Sequence, residues 1–129
     1  NLIVNTLKKR GVTSQVNIKS NLDRNTLFDE LCRSSCIVIP SYSEGFGFTA
    51  AESAGLGIPV ISSDQGALKE VVSGQFIKME KFDDKSLHEA LGKAIRGEWK
   101  MSAVKHFHLE PSVEAYENLY KSLIKKFGI

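Results

Sequence analysis

The chain has 129 residues, 42% of them hydrophobic and 25% charged, which suits one globular domain with an ordinary core. Its 17 basic and 15 acidic residues leave a net charge of +2, too even a balance for a protein that binds nucleic acid by neutralising many phosphates. No stretch approaches the ~20 apolar residues needed to cross a bilayer.

In chain order, Leu2, Ile3 and Leu7 share a helical face within residues 1–10. Lys8-Lys9-Arg10 suits the end of that helix and Gly11 the position beyond it. Gln15 to Lys19 alternates polar and apolar residues and predicts a short strand. Asn21 and Asp23 are candidate caps for a helix through Leu27, Phe28, Leu31 and Cys32. Cys36-Ile37-Val38-Ile39, closed by Pro40, predicts a strand buried on both faces. Thr49 to Ala54 predicts a helix that stops at Gly55 or Gly57, and Pro59 to Ser62 a second buried strand. Ala67 to Val72 reads as a short helix ended by Gly74, and Gln75 to Met79 as a strand. Ser86 to Ile95 is amphipathic, with Leu87, Ala90, Leu91 and Ala94 on one face. Trp99 to Phe107 predicts another helix. A closing helix is capped by Ser112 and carries Val113, Tyr116, Leu119, Tyr120, Leu123 and Phe127 at helical spacing.

Short apolar strands alternating with helices specify an α/β fold, a doubly wound parallel sheet covered on both faces with right-handed crossovers. The two cysteines, Cys32 and Cys36, are too few for a disulfide framework, and no histidine lies near them in sequence. They read as buried reduced thiols, which fits a reducing compartment and a cytoplasmic location.

Ligands of such sheets bind beyond the carboxyl ends of the strands. At the end of the first apolar strand, Gly45 and Gly47 flank Phe46 just before a helix. Glycine lets backbone approach a ligand closely. The unpaired N–H groups opening the helix, around Gly47 to Ala50, carry partial positive charge and suit a diphosphate without a metal. Glu44 precedes the glycines and Glu52 follows inside the helix. A carboxylate accepts strong hydrogen bonds from hydroxyls, so Glu52 is a candidate for ribose and Glu44 for the hydroxyls of a transferred sugar.

Bland roles compete. Glu44 is also a favourable charge near a helix N-terminus, and Glu52 also a solvated helix residue. Phe46 and Phe48 suit a core, and Asp64 and Glu70 suit a helix start. His106 and His108 read as surface residues. Lys121, Lys125 and Lys126 read as a solvated face, with membrane contact as the minor alternative.

The run Ser41-Tyr42-Ser43-Glu44-Gly45-Phe46-Gly47-Phe48-Thr49-Ala50-Ala51-Glu52-Ser53-Ala54, followed by Gly57-Ile58-Pro59-Val60-Ile61 and Asp64 to Val72, resembles the E-x7-E region of retaining GT-B glycosyltransferases, family four above all. The resemblance covers nearly the whole chain. It implies the Rossmann-like, donor-binding C-terminal domain of such an enzyme, occupying residues 1–129, with the N-terminal acceptor domain lying outside this sequence. The chain opens Asn1-Leu2-Ile3-Val4 without a methionine and is expected to be a piece of a longer protein, inactive alone.

By resemblance, Glu44 is the catalytic-site carboxylate that contacts donor sugar hydroxyls. Gly45 and the backbone of Phe46, Gly47, Phe48 and Thr49 hold sugar and diphosphate, Glu52 holds ribose, and Ser20 and Asn21 lie near the base. The implied reaction transfers a hexosyl group from a UDP- or GDP-linked donor with retention, in polysaccharide or glycolipid synthesis, using no cofactor and no metal. The implied partners are the nucleotide sugar and the rest of the polypeptide, with peripheral contact at the cytoplasmic membrane face and no nucleic acid. The basic pair that clamps the diphosphate in such enzymes is expected before Asn1. A non-catalytic nucleotide-binding subunit and a nucleotide-sugar epimerase or phosphorylase are the rival readings, because one architecture serves several chemistries.

Overall fold

The computed structural model describes residues 2–128 and divides at Arg33 into two compact units. The first unit holds helix α1 (Leu2–Arg10), a 3-10 turn (Thr13–Gln15) and helix α2 (Arg24–Arg33). Asp23 starts α2. Its Oδ1 accepts the N–H groups of Asn25 (3.0 Å) and Thr26 (3.1 Å), and its Oδ2 accepts the Thr26 hydroxyl (2.6 Å). Those bonds hold the Asp23 carboxyl below its ordinary value. Lys19 pairs with Glu30 at 2.6 Å and holds the Glu30 carboxyl down in the same way.

The strand expected over Gln15 to Lys19 is absent. Gln15 closes the 3-10 turn and the residues after it join no ladder, so Val16 and Ile18 stay exposed. An alternating segment becomes a strand only where a neighbour accepts its backbone hydrogen bonds.

The second unit is built on a sheet of order β1-β2-β3-β4. The strands are β1 (Ile37–Ile39), β2 (Val60–Ser62), β3 (Gln75–Lys78) and β4 (Lys100–Met101). The first three are parallel, with Ile37 opposite Val60 and Val60 opposite Phe76, and β4 joins antiparallel at the edge. Helices α3 (Phe48–Gly55) and α4 (Leu68–Val71) make the two parallel crossovers. Both pack on one face, as two crossovers of one hand require. There Ala50, Leu68, Val71 and Val72 meet Ile37, Ile39 and Val60. Helix α5 (Asp84–Ile95) covers the other face, where Ala90, Leu87 and Ala94 meet Ile61, Ile77 and Met79. The α/β reading, with helices on both faces of a mostly parallel sheet, matches this architecture.

Several local expectations fail. Trp99 to Phe107 is not a helix: Lys100 and Met101 form β4 and the rest is irregular. Gly97 breaks the chain just before, and pairing with β3 offers Lys100 and Met101 a ladder. The closing helix α6 (Leu109–Phe127) starts at His108, so Pro111 sits in its first turn and Ser112 does not cap it. Proline is acceptable there because first-turn N–H groups have no helical acceptor. Every residue of α6 is exposed, including its Val113, Tyr116, Leu119, Tyr120 and Leu123 stripe. Leu91 in α5 is exposed, unlike its neighbours on the predicted face. Cys32 and Cys36 are free, but Cys32 is exposed and Cys36 half-buried rather than both buried. No helix among the described residues is long and apolar enough to cross a membrane.

Helix α5 is capped by Asp83, whose Oδ1 accepts the Ser86 N–H at 2.7 Å, and this bond holds the Asp83 carboxyl below the ordinary aspartate value of 3.8. A depressed native value stabilises the fold above the unfolded-state value and loses that contribution as pH falls through the native one. Acid titration of Asp83→Asn is therefore expected to show a shallower loss of stability below pH 3.8 than the parent chain. Ile61 is fully buried in the α5-side core. In urea unfolding, Ile61→Ala is expected to cost about 3 kcal/mol with little change in slope.

Candidate functional site

Strands β1 and β2 run in the same direction, so their carboxyl ends deliver two loops to one edge, residues 40–47 and 63–67. The loops are tied together. Ser63, almost fully buried, donates its N–H to the Ile39 carbonyl (3.1 Å) and its hydroxyl to the Ser41 carbonyl (2.6 Å). The Ser41 hydroxyl donates to Glu44 Oε1 at 2.7 Å. Ala67 N–H donates to the Glu44 carbonyl at 3.2 Å. Gly66, at φ +55°, passes so close that a β-carbon there would lie 2.9 Å from the Glu44 carbonyl oxygen and 3.0 Å from its nitrogen. Only glycine satisfies both the angle and the space.

The structure brings Glu44, Gly45, Phe46, Gly47, Phe48, Thr49 and Glu52 onto one loop and helix. Glu44 is half-buried. Gly47 precedes α3 in the left-handed region (φ 91°), and a β-carbon there would lie 3.0 Å from a Leu68 methyl carbon. Gly45 is exposed with open space around it, so sterics require only the second glycine of the pair.

The Gly47 carbonyl accepts the N–H groups of Ala50 (3.0 Å) and Ala51 (3.2 Å). Ala50 is also fully buried, which removes it from the predicted run of free donors. The N–H groups of Phe48 and Thr49 have no partner among the described residues. Thr49 is exposed, and its carbonyl accepts the Ser53 hydroxyl at 2.6 Å.

Phe46 joins the α3/α4 core and stacks with Phe107 (5.0 Å, edge-on) and Phe48 (4.7 Å, tilted). Phe48 itself is 71% exposed and is not a core residue. Glu52 is half-buried one turn into α3, and its carboxylate has no partner among the described residues.

Asp64 does not start a helix, since Ala67 occupies the position before α4. It sits at φ 56° with its N–H on the Ser62 hydroxyl. Its buried Oδ1 lies 2.7 Å from Lys78 Nζ, an ion pair without hydrogen-bond alignment. Glu70 lies in the first turn of α4, as expected of a helix-start acid. His106 and His108 are exposed and irregular, with rings 6.0 Å apart. Asn21, at φ 53°, belongs to the other unit. Ser41, Ser63 and Gly66 had no assigned part in the sequence-based site. Among the described residues no cluster of three His, Cys, Asp or Glu side chains is arranged to hold a metal ion.

Residues 3–107, which include the whole site, match the family described as glycosyl transferases group 1. A D-inositol 3-phosphate glycosyltransferase of Nocardiopsis dassonvillei is 32% identical over 112 residues, covering 81% of this chain and 26% of that protein. The O-antigen biosynthesis glycosyltransferase WclY of Escherichia coli is 27% identical over 130 residues, 96% of this chain and 36% of the relative. A glycogen synthase of Mycobacterium tuberculosis is 34% identical over 74 residues, 57% of this chain and 18% of that enzyme. The chain thus spans only 26% and 36% of the length of the first two of these relatives.

The contact between Gly66 and Glu44 is directly testable. Gly66→Ala is expected to lower the unfolding free energy by about 1–3 kcal/mol and to move the amide resonances of Glu44 to Phe48. Gly45→Ala, with open space around it, is expected to stay within about 1 kcal/mol of the parent. Equal effects of the two variants would remove the steric argument.

Proposed function

The chain belongs to the glycosyl transferases group 1 family, and on that premise we propose that it is the donor-binding domain of a retaining GT-B glycosyltransferase, one that transfers a hexosyl group from a UDP- or GDP-linked sugar. The observation that carries this reading is the opening of α3. Gly47 turns the chain in the left-handed region, leaves the Phe48 and Thr49 N–H groups without a partner among the described residues, and stands between two carboxylates, Glu44 and Glu52.

The chemistry of the donor matches that order. The diphosphate is the anion, and it is met by the partial positive charge of the α3 N-terminus. The ribose hydroxyls on one side donate to Glu52. The hydroxyls of the transferred sugar on the other side donate to Glu44. In the reaction the bond between the anomeric carbon and the diphosphate oxygen breaks, and the acceptor oxygen bonds to that carbon on the same face. The acceptor's proton leaves with the diphosphate. Charge builds on the departing diphosphate, so fixed N–H donors there favour the transition state over the ground state. Glu44 holds the sugar in the orientation from which that bond breaks.

The acceptor, the basic residues that clamp the diphosphate and the rest of the catalytic groups are assigned to the remainder of the polypeptide. The relatives' names refer to products as different as an inositol 3-phosphate glycoside, an O-antigen and glycogen, and the acceptor here is left open. A cytoplasmic location and peripheral membrane contact belong to the same reading.

In the complete polypeptide, Glu44→Ala and Glu52→Ala are each expected to lower kcat/KM for the nucleotide sugar by about 100-fold or more, some 2.7 kcal/mol of transition-state stabilisation. Glu52→Ala is expected to weaken free UDP or GDP as well, whereas Glu44→Ala leaves the free nucleotide unaffected. Unchanged rates in both variants would overturn the assignment.

A further inference from the structure

Glu44 is held from two directions by residues outside the E-x7-E run itself. Its backbone is fixed by Gly66 and Ala67, and its side chain by Ser41. Ser41 is in turn fixed by Ser63, which spends its N–H on Ile39 and its hydroxyl on the Ser41 carbonyl. The sequence separation between Ser63 and Ser41 is 22 residues, so this is a tertiary link between the β2 and β1 loops. Ser63 is 1% exposed, so its hydroxyl bond to the Ser41 carbonyl is shielded from water.

A free glutamate at a loop samples several rotamers, and ordering it on ligand binding costs free energy. With Oε1 engaged by Ser41, one rotamer is selected before any ligand arrives. Oε2 and the remaining lone pairs are left to accept hydroxyls.

We propose that Ser41 and Ser63 are positioning residues for the donor sugar: Ser63 fixes Ser41, and Ser41 pre-sets the Glu44 carboxylate that receives the sugar hydroxyls. This rests on the reading of Glu44 given above. Neither serine touches the diphosphate or the nucleoside in this scheme. Their effect is therefore confined to ligands that carry a sugar.

The test uses two ligands and one property of the unliganded protein. Three-bond couplings report the Glu44 χ1 rotamer in the parent, Ser41→Ala and Ser41→Thr. Titrations of the complete polypeptide then compare a UDP- or GDP-linked hexose with the matching free UDP or GDP. In Ser41→Ala the Glu44 couplings are expected to average, and the Kd for the nucleotide hexose to rise about tenfold, while the free nucleotide binds as before. Ser41→Thr, which keeps the hydroxyl, is expected to retain both properties.

Ser63→Ala is expected to act in the same direction. Adding it to Ser41→Ala is expected to bring no further loss, because the two residues act in series. Unchanged Glu44 couplings in Ser41→Ala overturn the proposal, as does an equal loss for both ligands, which is what simple damage to the fold produces. The two readings fail differently. If Glu44→Ala binds nucleotide hexose normally, the sugar role of Glu44 falls. If only Glu44→Ala weakens it and Ser41→Ala does not, the positioning role alone falls.

Discussion

Strand β2 is the constraint on which the second unit depends. All three of its residues are buried. Val60 points into the core under α3 and α4, and Ile61 into the core under α5. A strand in that position hydrogen-bonds on both edges and packs on both faces, so it cannot shift without breaking four sets of contacts at once. The loop that leaves it inherits that rigidity. Residues 63–67 emerge at a fixed place and can therefore act as a template for the neighbouring loop. Glu44 is tied to the buried strand β2 through Ser63, Gly66 and Ala67.

Features that depend on local pattern could be read without coordinates. The run Val60–Ser62 reads correctly as a buried strand and Ile37–Ile39 as a strand, although Val38 is exposed, so β1 is not buried on both faces as its apolar run predicts; Leu87, Ala90 and Ala94 mark the face that α5 buries. Asp23, one of the two candidate caps, does cap its helix, because a short acceptor side chain before a helix has few better uses. The handover from strand to glycine-bounded helix at residues 44–52 is equally local, which is why that turn and the helix after it could be read in advance.

Features that depend on a distant partner could not. The alternation from Gln15 to Lys19 has the right period for a strand, yet period alone supplies no partner for its backbone. Lys100 and Met101 went the other way: β3 offered a ladder, and a segment that resembled a helix became an edge strand. Asp64 takes a left-handed conformation beside Lys78, a pairing invisible from either residue's neighbours. The support of Glu44 by Ser41 and Ser63 belongs to the same class, since serines in loops are ordinary until the partner is seen. Equally, nothing local distinguished Gly47, whose conformation is obligatory, from Gly45, whose is not.

The loop between β2 and α4 lies at the surface, where changes in length are usually tolerated. Here they are not free. Gly66 is pressed against one residue of a different loop, and Ala67 is bonded to the same residue, so an insertion or deletion within 63–67 would be transmitted to a carboxylate some twenty positions earlier. The two loops form a single unit of variation. Gln65 is only partly enclosed, and its Nε2 donates to the Ser63 carbonyl at 3.3 Å within the same loop. Transplanting one loop from a relative without the other would replace half of a matched pair.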